Sequence, residues 1–513
     1  MAISFEDKEH FRSLQNQLRN NWQKGDILEE DDQDILVIPS FSIDQEVGKK
    51  VIGFLHYEER LLFSLIRLRN PHTRLIYVTA QPLSPIIIDY YLQLLPGIPF
   101  SHARERLLLL TTYDSSQKAL TQKILERPRL IKKIKDFLRP NKSYMVCFNS
   151  TVLEQELSVK LDIPLLASSP ELLYWGSKGG SREIFAQCNI LHPEGSPLVY
   201  SIENLSREIS LLLTKKPYLK KVVIKLNEGF SGEGNAVLDV SGISGLFISD
   251  LSIEKKLNLV NQIIHEAKVQ GLGETWLNFC SRIPELGVIV EEFIEGEIKF
   301  SPSMQGYITP NGEVEIISTH DQILGGEDGQ IYLGCSFPAQ EDYRLQLQEL
   351  GLKIGLALAE KGAMERYSAD FLAVKENNKW LLYAIEINLR KGGTTHPFMT
   401  LKFLTNGQYN CQDGLFYSPE EKVKYYIASD NLQKPQYHGL LPYDLMDIIA
   451  KHRLHFDSST KTGTVFHLMG ALSEFGKVGL TSIGNSWKEA QDIYNNVETV
   501  LDNETNDFIL RGC

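Results

Sequence analysis

The chain has 513 residues, 42% of them hydrophobic and 23% charged, with a formal net charge of −12. That acidic balance excludes a protein built to grip nucleic-acid backbones, which demand basic surface. No apolar run approaches the roughly 18–20 residues of a membrane span, and at roughly 150 residues per domain the length suggests about three domains.

Residues 1–30 are polar and helical in character, and MAISFEDKEHFRSLQNQLRNNW lacks the apolar stretch of a secretion signal. DILVIPSFS (34–42) reads as a buried strand, HYEERLLFSLIRL (56–68) as a helix, and RLIYVTAQP (74–82), LLLLTTYD (107–114), SYMVCFN (143–149) and IPLLAS (163–168) as further strands. Segments of helical period lie between them, as in TQKILERPRLIKKIKDFL. Strand alternating with helix predicts an open α/β sheet, and no G-x-G-x-x-G dinucleotide fingerprint follows the first strand. From about 170 to 405 short strands dominate, with two long helices, 251–271 and 342–362; in the second, Leu347, Leu350, Ile354 and Leu358 recur at helical spacing and Gly362 ends it. A turn-rich boundary, FLTNGQYNCQDG (403–414), leads to a last small α/β region with YDLMDIIAKHRL (443–454), the strand-like TGTVFHLMGALS (462–473) and a final helix over 487–501. Six cysteines (Cys147, Cys188, Cys280, Cys335, Cys411, Cys513) stand far apart with no C-x-x-C pair, so neither zinc nor a disulfide framework is indicated and a reducing cytoplasm is the expected compartment.

Several stretches carry chemistry. In VIKLNEGFSGEGN (223–235) a β-branched run reaches Lys225, and Gly229, Gly232 and Gly234 follow. Glycines let backbone N–H groups approach an anion and the lysine supplies countercharge; a plain hairpin turn with a snorkelling lysine has the same letters. Lys178, in Ser177-Lys178-Gly179-Gly180-Ser181, precedes a helix, so it is either a helix-terminus anion ligand or a solvated surface lysine. VIVEEFIEGEIKF (288–300) is an apolar strand ending in carboxylates; backbone just past such a strand can meet a purine edge, and Glu297 or Glu295 can hold ribose, or the acids can be edge-strand gatekeepers. SADFLAVKENNKWLLYAIEIN (368–388) reads as a β-hairpin with Asp370 on one strand and Glu386 and Asn388 two apart on the other, on one face. Two carboxylates and an amide oxygen in an apolar setting suit Mg²⁺ bound together with phosphates; ordinary salt bridging is the alternative. No Walker A motif and no kinase H-R-D or D-F-G occurs.

Taken in order, Lys178, Lys225 with its glycine loop, Glu291-Glu292-Phe293-Ile294, Asp370 and Glu386-x-Asn388 resemble the ATP-grasp superfamily over roughly residues 170–400. The flanking HYEER, FNST, SKGGSREIF, LNEGFSGEGN, THDQILGGEDGQIYLGCSFPA, EINLRKGGTTHP and FHLMGALSEFGKVGL stretches are similar to the pheganomycin-type peptide ligases. The resemblance implies an open α/β pre-ATP-grasp domain (1–169), an ATP-grasp core of α/β and α+β character (170–410) and a small α/β C-terminal domain (411–513). It further implies ATP held by Lys178, Lys225, the loop Gly229, Ser231, Gly232, Gly234 and Asn235, and Glu291, Glu292, Phe293, Ile294 and Glu297. One or two Mg²⁺, replaceable by Mn²⁺, would be held by Asp370, Glu386 and Asn388. Many members place an arginine two residues before the first magnesium carboxylate; here that position is Ser368. Arg366, Arg390 and the turn containing Gly393 are therefore the candidates for the oxyanion or the substrate carboxylate. The activity implied is amide formation between a small-molecule or peptide carboxylate and an amine through an acyl phosphate. An ATP-grasp phosphotransferase and a non-catalytic ATP-binding protein are the competing readings. No nucleic-acid or membrane partner is expected, and a homodimer is only the prior for a soluble enzyme.

Further residues draw notice with ordinary structural alternatives beside them. His320, Asp321 and Gln322 end a strand and either line the acceptor side or make a turn. His467 is a core histidine or a base. Arg104, Arg106, His56 and Glu58-Glu59-Arg60 meet substrate or brace the N-terminal region.

Overall fold

A computed structural model describes residues 4–22, 32–42, 51–95, 97–229, 234–249, 251–270, 273–325 and 331–511. After the helix Phe5–Asn21 come four parallel strands, in spatial order 107–111, 74–79, 34–38, 143–147. Their β-branched and leucine-rich runs are buried on both faces, as parallel strands covered by helices must be. The helical segment Phe54–Arg69 packs on one side. On the other, Thr151 and Glu154 form a capping box that starts Val152–Leu161. The expected fifth strand at 163–168 does not form: only Leu165 makes a single bridge to Met145. Pro164 lacks the N–H that a ladder position needs. The helical stretch 120–137 is broken at Pro128 into Leu120–Leu125 and Pro128–Phe137.

Two sheets follow. The smaller is antiparallel, ordered 268–269, 235–239, 221–226, 288–292. The helix expected over 251–271 is shorter, Ile253–Ile263, and the chain turns into the edge strand Lys268–Val269; Gly271, its expected cap, lies outside the described residues. The larger sheet has the strands 379–388, 365–376, 302–308, 314–325, 331–337 and 423–433 in succession. Helix Arg344–Glu360 covers one face, with Leu347, Ile354 and Leu358 buried as their spacing predicts and Gly362 in the left-handed region just beyond the helix. Burying each such side chain contributes about 1.5–3 kcal/mol. The helix lies low on the sheet, because a Cβ on Gly355 would stand 2.2 Å from Tyr367 Oη.

The C-terminal region is no separate layer. Val423–Gln433 pairs with the core strand Ile331–Phe337, and Lys477–Gly484 and Gly463–His467 extend the same sheet. The strand-like run 462–473 thus stops at His467 and becomes helical; the final helix runs from Trp487 to Arg511. The sequence reading left Ile202–Lys215, Trp276–Leu286 and Thr395–Thr405 unassigned, and all three are helices.

Candidate active site

The two antiparallel sheets face each other across a cleft of about 600 Å³. One wall is the small sheet. Lys225 ends the strand Lys221–Leu226, opposite Asn235 and Ile289. Its Nζ pairs with Glu291, which also receives Arg182 Nη1 at 2.7 Å. Burial opposes ionisation of Glu291, yet Lys225 and Arg182 outweigh it and hold the carboxyl below its ordinary range. The glycine stretch is the hairpin connection itself: Gly234 is left-handed, Leu226 N–H donates to its carbonyl, and Gly229 and Asn235 line the cleft. Ser231 and Gly232 lie outside the described residues. Past Glu292 the strand presents Phe293 and Ile294 to the cleft. The Glu292 amide is taken, donating to the Glu194 carbonyl at 2.8 Å, and its side chain holds Lys216 and the Glu194 N–H.

Lys178 reaches the cleft from the first turn of Lys178–Gln187. The amides of Gly179 and Gly180 are already occupied by Asn227 Oδ1 and Ser177 Oγ, so the contribution here is the lysine side chain and not the helix terminus. Its Nζ lies 3.4 Å from Glu386 Oε1.

The large sheet supplies the other wall. Asp370 stands directly opposite Glu386, and Ser368 opposite Asn388. Asn388 Nδ2 donates to Asp370 Oδ2 at 3.1 Å, and Gln322 Nε2 to Oδ1 at 2.7 Å. Burial, and then the neighbouring Glu386 carboxylate, push Asp370 up to about 7. Arg390 enters beside this pair; burial lowers its pKa while Glu386 and Asp370 oppose that. Two carboxylates forced together, with a lysine and an arginine at their edge, form an oxygen-ligand site short of a protein-only cage. Among the described residues no group of three or more His, Cys, Asp or Glu side chains assembles. Such a set fits Mg²⁺ that completes its shell with phosphate and water.

Comparison with known proteins agrees with this geometry. A family described as "IQCH-like, ATP-grasp" matches residues 170–270 and 251–412, and one described as "PGM1 C-terminal domain" matches 444–497. The biotin carboxylase domain of Hydrogenobacter thermophilus 2-oxoglutarate carboxylase, solved with its MgADP, ADP and bicarbonate, superposes with a TM-score of 0.54 at 13% identity, over 90% of this chain and 89% of that one. The chain has the ATP-grasp fold, and residues 170–412 match an ATP-grasp family. It is also similar to L-propargylglycine–L-glutamate ligase of Streptantibioticus cattleyicolor, with 28% identity over 91% of this chain and 93% of that protein. IQ motif-containing protein H of Danio rerio is 22% identical over 90% of this chain, which spans 47% of that relative.

Within the ATP-grasp cleft the expected residues divide. Lys178, Lys225, Gly229, Asn235, Glu291, Glu292, Phe293, Ile294, Asp370, Glu386, Asn388, Arg390 and Gly393 line it together. Gly393 is there because Tyr332 leaves no room for a side chain: a Cβ would lie 2.8 Å from the ring. Glu297 is exposed and does not line the cleft, and neither does Glu295, which pairs with Lys220. Arg366 points to a separate cavity of about 330 Å³, where it packs on Met399 and over the Tyr307 ring. Of the His-Asp-Gln trio only Gln322 reaches the cleft. His320 is buried against the Tyr426 hydroxyl, its pKa driven down to about 3 by burial, and Asp321 accepts from the Tyr343 hydroxyl. Arg106 braces four backbone carbonyls, those of Leu68, Asn70, Thr73 and His102, and Arg104 is exposed. His467 is fully buried and pairs with Asp430.

Arg60, for which the sequence leaves open a meeting with substrate or a bracing role, lines the cleft from the N-terminal region. Its partner, Asp430, lies 370 positions away. No local pattern links them; the only signal was a run of charged residues opening an otherwise apolar helix.

Proposed function

We propose that the protein is an ATP-dependent carboxylate–amine ligase that joins amino acids or short peptides through an amide bond, releasing ADP and phosphate. The observation that carries this reading is the cross-strand pair Asp370–Glu386 facing Lys178, Lys225 and Arg390 in one cleft. Similarity to an amino-acid ligase along nine-tenths of the chain supports it.

Lys178 and Lys225 would bind the α- and β-phosphates. The Glu291 carboxylate pairs with Lys225 and aims it, since an isolated buried ammonium is expensive. The Glu292 carbonyl and the Ile294 N–H would take the adenine edge, and the hairpin loop through Gly229 and Asn235 would fold over the phosphates and exclude water. Asp370, Glu386 and Asn388 would hold one or two Mg²⁺, with Mn²⁺ able to substitute. Such an ion would supply countercharge to the phosphates while the substrate carboxylate attacks the γ-phosphorus and ADP departs. The amine then attacks the acyl phosphate, and Arg390 stabilises the tetrahedral oxyanion from beside the carboxylate pair. Arg366, turned away from this cleft, has no part in that step; Glu297, exposed beyond the strand, would meet ribose only by movement of its segment.

We read the chain as three functional segments, 1–169, 170–410 and 411–513, of which the third extends the sheet of the second, so the two fold together. No helix among the described residues is long and apolar enough to cross a membrane, and none of the described cysteines is paired, which supports a cytoplasmic location. The test is MgATP turnover against pooled amino acids and short peptides, read as phosphate release and product mass together. A product one water lighter than its two substrates supports the ligase. A product heavier by one phosphate replaces it with a phosphotransferase, and ATP binding without turnover in any pool leaves a non-catalytic ATP binder.

A further inference from the structure

Arg60 is held more firmly than a bracing residue needs to be. Its Nη2 donates to Asp430 Oδ2 at 2.5 Å, and Asp430 Oδ1 pairs with His467 Nε2 at 2.6 Å. The guanidinium lies 4.9 Å from the Tyr57 ring centroid and 5.5 Å from that of Phe148. Arg60 and Asp430 are only 5% and 6% exposed. Four separated segments thus fix one side chain: 54–69, the turn after 143–147, and the two C-terminal strands bearing Asp430 and His467. Asp430 is kept ionised well below its ordinary range: burial opposes this, but Arg60 and His467 outweigh it. Stability alone does not require such a pair, since buried ion pairs are often no better than apolar packing. Among the described residues the Arg60 Nε has no hydrogen-bond partner, and the side chain still lines the cleft.

Its neighbours say what it faces. Arg60 lines the cleft together with Phe148, which it overlies, and with Tyr332 and Arg390. A guanidinium that is fixed in place and lines a cleft favours an anionic ligand, which it can meet with charge-assisted hydrogen bonds. The reacting carboxylate gives up its charge when its oxygen bonds to phosphorus. A fixed cation on the substrate side is therefore matched by a carboxylate that is not consumed. We propose that Arg60 receives the free α-carboxylate of an amino-acid substrate, and that Asp430 and His467 are positioning residues that hold its guanidinium.

This rests on the ligase reading, and the test separates the two. Full-length wild type and Arg60→Gln are assayed with MgATP and one fixed pool of L-amino acids as carboxylate donors, with the amine acceptors supplied in excess either as L-amino acids or as their α-amides. Wild type is expected to favour the acids. Arg60→Gln lowers kcat/KM for the acids on the order of 10–100-fold, the size of a charged hydrogen bond, leaves the amides and the ATP Kd unchanged, and is partly rescued by methylguanidinium. Asp430→Asn moves the acid preference in the same direction, through KM more than kcat. Equal losses on acids and amides, or an unchanged preference in Arg60→Gln, overturn the assignment. If either substitution prevents folding, Arg60→Lys, which keeps stem and charge, is expected to retain part of the preference, and its retaining none overturns it. If wild type makes no amide from any pool, the ligase reading falls; L-glutamate and its α-amide are then titrated into the protein with MgADP. Preferential binding of the acid that Arg60→Gln abolishes supports the receptor, and equal binding of the two, or an Arg60→Gln protein indistinguishable from wild type, overturns it.

Discussion

The side of the cleft proposed for nucleotide and the side proposed for substrate are built in opposite ways. The nucleotide side draws on both sheets in short local pieces: the strand bearing Lys225, a strand ending at Glu291 and Glu292, and a hairpin that sets Asp370 against Glu386. Each needs only the alternation of a strand to aim its side chains. The substrate side is made from a distance, with Arg60 held by Asp430 and His467 from the far end of the chain. Local pieces can be read one at a time; a remote assembly exists only once the sheet Val423–Gln433 has docked on the core strand Ile331–Phe337.

The contrast breaks first at the hairpin. Asp370→Asn or Glu386→Gln removes a charge the metal would need and is expected to cost 10³-fold or more in turnover, on the order of losing the largest electrostatic contribution to a transition state. Far-ultraviolet circular dichroism should not change, because both residues face the cleft and not the packed side that holds Tyr367, Ala369 and Phe371. Turnover surviving in both variants would remove the metal assignment. On the same side, Lys225→Ala is expected to weaken ATP binding on the order of 10–100-fold by calorimetry, the range for charge-assisted contacts. Arg182 would still pair Glu291, so the thermal midpoint should fall little. An unaltered ATP Kd would take Lys225 out of the phosphate site. On the substrate side, Asp430→Asn should leave the ATP Kd where it is and lower kcat/KM; equal damage to both would mean that the sides are not separable.

The same contrast explains what the sequence could reveal. The magnesium-type hairpin, the lysine–glycine turn and the long helix with Leu347, Ile354 and Leu358 were legible because their signals are periodic and close together. The parallel sheet was legible for the same reason, save for the run at 163–168, where an apolar stretch interrupted by Pro164 has the composition of a strand without its ladder. Arg366 misled because spacing along a strand fixes the face but not the distance: it shares its face with Asp370 and opens into a different cavity. His320 and His467 were ambiguous because a core histidine and a cleft histidine look alike until their partners, Tyr426 and Asp430, are known. The C-terminal region looked like a small domain because nothing in its letters says that its strands add to a sheet begun a hundred residues earlier.

The smallest expected effect lies under the substrate side and is read as stability. Glu58 precedes Arg60 by two residues and is buried, with Oε2 accepting from the Ala80 N–H at 2.6 Å. Burial pushes its carboxyl up to about 8 from an ordinary 4.5, with the Ala80 N–H and Lys123 opposing the rise and Glu59 adding to it. Across that window the folded chain keeps a proton that the unfolded chain releases, so the unfolded state binds fewer protons and stability falls as pH rises from about 4.5 to about 8. Glu58→Gln keeps an acceptor for Ala80 and cannot ionise, so its part of that fall disappears. The thermal midpoint of the variant should drop less than that of wild type between pH 5 and pH 8, by a few degrees at most in a chain this long. If the two fall equally, Glu58 is not held protonated, and the helix that carries Arg60 tolerates a buried charge at no cost to its stability.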